Sequence, residues 1–100
     1  MVEVTLFLGN AVAEPGNIQS YPPGEKHAVI VFVRQQKGTP PDFEAAAKTL
    51  EQKKWSRVSL SQAALISVEN LNSVHPHAAS SYEDALKTGS AALVFSDPIQ

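Results

Sequence analysis

The sequence predicts an α+β fold: a two-layer sandwich in which a four-stranded mixed sheet, in strand order 1-2-4-3, carries two main helices on one face. Three observations lead there. Two short apolar runs, 28–33 and 91–95, read as strands covered on both faces. Two other segments, 39–54 and 80–89, carry apolar residues at helical spacing between start and stop signals. Finally, two strand–helix–strand passages imply parallel neighbours.

The first strand is read from alternation. Val2, Val4, Leu6 and Leu8 share one side, and Glu3, Thr5 and Phe7 the other. The mixed second side suggests an edge position. Residues 9–26 read as a long connection punctuated by Pro15-Gly16 and Pro22-Pro23-Gly24, with Ile18 and Tyr21 to pin it and an antiparallel hairpin around it. The run 28–33 is then a central strand that leaves into solvent at Arg34 and Gln35.

The first helix is expected to open at Thr39-Pro40-Pro41-Asp42, with Thr39 as cap and Pro40 in the first turn. Phe43, Ala46, Ala47 and Leu50 form its apolar stripe, and Lys53-Lys54 its positive last turn. Residues 55–60 alternate as a half-buried strand, with Trp55 over the helix end. Residues 62–66 fit either a helical turn or a strand continuation, and residues 67–71 fit a second capped turn. Residues 72–79 read as a loop because His75 precedes a proline. Ser80-Ser81-Tyr82-Glu83 has the spacing of a capping box, Gly89 is placed to stop the second helix, and Asp97-Pro98 ends the last strand.

The 100 residues form a single domain, 1–100, with 43% hydrophobic and 18% charged residues. The absence of cysteine excludes disulfide scaffolds, thiolate metal sites and cysteine nucleophiles. The net charge of -2 argues against nucleic acid as a partner. The N-terminus lacks a basic signal-peptide region, and no apolar run approaches membrane-spanning length. These features predict a soluble, cytoplasmic protein without a membrane partner.

Packing both helices on one face leaves a problem. Val29, Val31 and Val33 point one way and Ala28, Ile30 and Phe32 the other, so one set lacks cover. Monomers rarely leave apolar patches larger than about 300–600 Å² in water. A homodimer or a protein partner on that sheet face or edge would supply the cover, as would a ligand or the 9–26 loop folding back with the 61–72 segment.

Candidate chemistry is sparse. His75-Pro76-His77 is the best metal or catalytic pair, with His27, Glu69 or Asp84 as a further ligand, but it lacks zinc-site spacing. Ser80 and Ser81 lie in no nucleophile motif. Glu83-Asp84 and the Asp42, Glu44 pair read as solvated. The glycines form no phosphate loop, and Pro40 and Pro41 remove donors from any anion site at Lys37-Gly38-Thr39. Lys53-Lys54 with Trp55 and Arg57 reads as a helix end beside a core tryptophan.

No cofactor or metal is expected, and the balance lies against catalysis. The leading expectation is a small non-enzymatic interaction or regulatory module. The alternative is a small-ligand- or metal-binding domain, enzymatic or not, with Tyr21, His27, His75 and His77 lining a site between the 9–26 loop and the His75–His77 loop.

Overall fold

A long hairpin forms the centre of the molecule. The computed structural model describes residues 2–16, 21–62 and 78–98. Strand β1 (Val2–Ala13) pairs antiparallel with β2 (Lys26–Gln36) from Val2↔Gln36 to Val12↔Lys26. The strands thus extend well into the segment read as a connection. The hairpin is closed by Ala13 N–H donating to Glu25 O at 2.8 Å and Gly24 N–H donating to Ala13 O at 2.9 Å.

Helix α1 (Phe43–Glu51) follows, then β3 (Trp55–Gln62), α2 (Ala78–Thr88) and β4 (Ser90–Pro98). This is an α+β chain with a four-stranded sheet and two helices among the described residues. The sheet is antiparallel throughout, not mixed, in the order β3-β1-β2-β4. The expected β1–β2 and β2–β4 neighbours are present; β3 lies against β1. The chain leaves β2 through α1 and re-enters the sheet beyond β1, so β2 and β3 run the same way without touching.

The helices cover opposite faces, which corrects the one-face packing. Val4, Leu6, Ile30 and Phe32 pack with Ala85 and Tyr82 of α2. Phe7, Ala11, Val29, Val31 and Val33 pack with Ala46 and Leu50 of α1 and with Trp55. The set that lacked cover therefore has it within one chain: Val29, Val31, Val33, Ile30 and Phe32 are buried and Ala28 is half-buried. Burying each large side chain favours folding by about 1.5–3 kcal/mol, so strands apolar on both sides draw a helix to each.

Central and edge strands also differ from expectation. Thr5 and Phe7, on the mixed side of β1, are buried, and β1 is central. The apolar run 91–95 lies in an edge strand, where Leu93, Val94 and Phe95 are half-buried. An apolar run reports layers above and below it, not hydrogen-bonded neighbours at its sides.

Both helix starts shift. Asp42 is the N-cap of α1, accepting from Ala45 N–H at 3.0 Å. Thr39 Oγ1 instead donates to Gln36 O at 2.7 Å, within the turn that leaves β2. Pro41 disfavours helical backbone at Pro40, which holds back the start. Helix α1 ends at Glu51, and Lys54 turns the chain with φ 66. Helix α2 spans Ala78–Thr88 among the described residues, so Ser80 and Ser81 sit inside it rather than capping it. Gly89 stops it as expected, with φ 109 and its N–H donating to Ala85 O at 2.8 Å.

A bulge re-phases β3. Between the pairs Asn10↔Ser59 and Val12↔Ser56, Arg57 and Val58 together face Ala11. Arg57 adopts φ 48, the left-handed conformation found at the first position of G1-type bulges. The extra residue puts Trp55, Val58 and Leu60 all on the α1 face.

Candidate functional site

Two of the four sequence-predicted site residues come together. The Tyr21 and His27 rings lie 4.3 Å apart, and each is 5.7 Å from Trp55. His75 and His77 lie outside the described residues. His27 is fully buried. Its Nδ1–H donates to the carbonyl oxygen of Phe95 at 2.7 Å, and its Nε2 is 3.1 Å from Glu25 Oε1. Both ring nitrogens are thus engaged within the chain, and a ligand would have to displace one of these contacts. Among the described residues no group of three or more His, Asp or Glu side chains is placed to hold a metal ion.

A wide-open polar depression of about 450 Å³ lies where β2 leads into α1, lined by Arg34, Gln35, Gln36, Thr39, Pro40, Pro41 and Asp42. Its polar atoms already serve the fold. Gln35 Nε2 donates to Thr39 Oγ1 at 3.1 Å and to Pro40 O at 2.8 Å, and Gln35 Oε1 accepts from Asp42 N–H at 3.1 Å. Arg34 Nη1 donates to Leu86 O at 2.7 Å, at the α2 C-terminus where a cation suits the helix dipole. The anion site considered at Lys37-Gly38-Thr39 has no helix end to serve it, because α1 starts at Phe43 with the Asp42 carboxylate as its cap.

The apolar concavity is elsewhere. Phe43 and Ala47 of α1 and Val58 and Leu60 of β3 line a groove of about 220 Å³ along the sheet edge. Phe43 is 44% exposed, and its ring meets Phe7 edge-on at 5.0 Å. It is the first residue of α1, at the end of a stripe that otherwise descends into the core, so it overhangs the edge strand. The strand beside the groove has β1 as its only described neighbour in the sheet. On the opposite face of the sheet, Leu8 is 39% exposed.

Sequence reasoning assigned Phe43, Ala47, Val58 and Leu60 to core stripes and missed their common groove. The available signal was Phe43 at the extreme start of its stripe. Trp55 is fully buried, so it is a core residue, as read, and offers no face for stacking. No described helix is long and apolar enough to cross a membrane. Comparison with family models, with curated proteins and with solved structures found no match.

Proposed function

We propose that this chain is a small non-enzymatic interaction module that engages a protein partner, another copy of itself included, through the β3 edge and the groove beside it. One observation carries the reading: an apolar groove formed by Phe43, Ala47, Val58 and Leu60 runs along a strand that is at the edge of the sheet among the described residues. Extended segments that add to sheet edges take affinity from main-chain hydrogen bonds and specificity from pockets for alternate side chains, and this pairing offers both. Helices cover both faces of the central strands, which favours the sheet edge over its face as the contact surface.

Selection from a displayed library of random extended peptides tests the reading, with wild type and Leu60→Lys as parallel targets. Leu60 is half-buried in the groove wall, so a lysine there can reach solvent while spoiling the apolar surface. The expected result is a set of binders to wild type that Leu60→Lys loses. Binders indifferent to Leu60→Lys, or none at all, would overturn the assignment of this edge.

A further inference from the structure

His27 faces an acceptor at each ring nitrogen. Its Nδ1 lies 2.7 Å from the carbonyl oxygen of Phe95 in β4, and its Nε2 lies 3.1 Å from Oε1 of Glu25. A carbonyl oxygen and a carboxylate can only accept, whereas a neutral imidazole has one N–H and one bare nitrogen. Both contacts therefore form together only when an extra proton is held between His27 and Glu25. Imidazole is ordinarily the more basic of the two groups. The Glu25 side chain is 36% exposed, so water helps it to keep its charge. The extra proton belongs on Nε2.

Around the fully buried ring stand Tyr21 at 4.3 Å, Trp55 of β3 edge-on at 5.7 Å, and Ala11 opposite in β1. Glu25 supplies the negative charge against it. Tyr21 and Glu25 bound one short segment, folded by Glu25 N–H donating to Pro22 O at 3.2 Å and tied to β1 by Gly24 N–H donating to Ala13 O at 2.9 Å. A positive ring attracts both the Glu25 carboxylate and the π-face of Tyr21. When the Nε2 proton passes to water, a lone pair meets the carboxylate and that attraction becomes repulsion. The half-exposed carboxylate can then turn to solvent, while Nδ1–H stays on Phe95.

We propose that His27 is a proton-operated clasp on the segment 21–25, which leads into β2. With both ring nitrogens protonated, it holds that segment through Glu25. With Nε2 bare, it releases Glu25 and keeps its bond to β4. The hold is present at low pH and is lost as the pH rises through the deprotonation of the ring.

Proton–nitrogen correlation spectra of the histidine rings, recorded from about pH 5 to about pH 9 on either side of the ordinary imidazole range, report the Nε2 proton. The signals of His27 are those missing from His27→Phe. Amide exchange of Gly24, corrected for its intrinsic pH dependence, reports the hold. In wild type, protection of Gly24 is expected to fall about threefold, the worth of a partly exposed charge pair, over the interval in which Nε2 loses its proton. Glu25→Gln brings an amide that can donate to a bare Nε2 or accept from a protonated one, so its Gly24 protection should stay level with pH. The half-exposed position accommodates that variant.

A ring without the Nε2 proton across the whole range would overturn the clasp, as would a ring that never loses it. Gly24 protection that ignores the titration of Nε2, or that follows pH equally in Glu25→Gln, would overturn it too.

Discussion

The Nδ1–H of His27 donates to the carbonyl oxygen of Phe95 across 2.7 Å, tying a central strand to an edge strand where their pairing slips. Between His27↔Pro98 and Val29↔Val94, Ala28 faces three β4 residues, so regular ladder bonds are interrupted there. The imidazole spans the interruption from a fully buried position. His27→Phe keeps a ring against Tyr21 and Trp55 but removes the donor. We expect a loss of about 0.5–1.5 kcal/mol, the net worth of one intramolecular hydrogen bond, with faster amide exchange in β4 beyond Val94. Urea unfolding and hydrogen exchange check both; a variant as stable as wild type would remove His27 from the forces that hold β4.

Gly9 is required by close approach of backbone. A Cβ there would lie 1.8 Å from Ser59 O and 2.9 Å from Leu60 Cα, both main-chain atoms. Gly9→Ala must therefore push β3 away from β1. Overpacking typically costs about 1–3 kcal/mol, and we expect the upper end or beyond because no flexible side chain can yield. Thermal unfolding measures the loss, and amide shifts confined to β1 and β3 would locate it. An unchanged melting temperature would refute the close approach.

The start of α1 depends on the Asp42 carboxylate, which accepts from Ala45 N–H at 3.0 Å. Asp42→Ala should cost about 0.5–2 kcal/mol, while Asp42→Asn should keep most of the cap. Thr39→Ala should cost less, because Thr39 bonds within the preceding turn and not to the helix. Chemical denaturation of the three variants ranks them, and a larger loss for Thr39→Ala would move the cap back to where the sequence alone places it.

Arg57 occupies a conformation that favours glycine, with φ 48. The left-handed conformation costs an ordinary residue roughly 1–2 kcal/mol, partly offset in glycine by its greater unfolded-state freedom. Arg57→Gly should leave stability unchanged or raise it by up to about 1 kcal/mol. Arg57→Val should lower it, since β-branching makes positive φ more costly still. Urea titrations decide; equal stability of the valine and glycine variants would contradict the bulge.

The nearness of Tyr21 to His27 follows from the hairpin, which returns the connection after β1 to the start of β2. The groove was not legible in the sequence. Phe43, Val58 and Leu60 satisfy ordinary helix and strand spacing, and spacing does not say whether a stripe ends over the sheet or beyond its edge. His75 and His77, the other half of the expected ligand site, fall outside the described residues.

Local patterns in the sequence determined the α+β class, the β1–β2 hairpin, the helical stripes of α1 and α2 and the stop at Gly89, because each depends on residues near one another in the chain. Only the tertiary structure decided which strands lie at the edges, which face each helix covers and where β3 changes phase. An apolar strand demands cover above and below, and that demand is met equally by a central strand or by an edge strand between two helices. Arg57 likewise carries no turn signature; its left-handed backbone follows from the need to bring Trp55, Val58 and Leu60 onto one face.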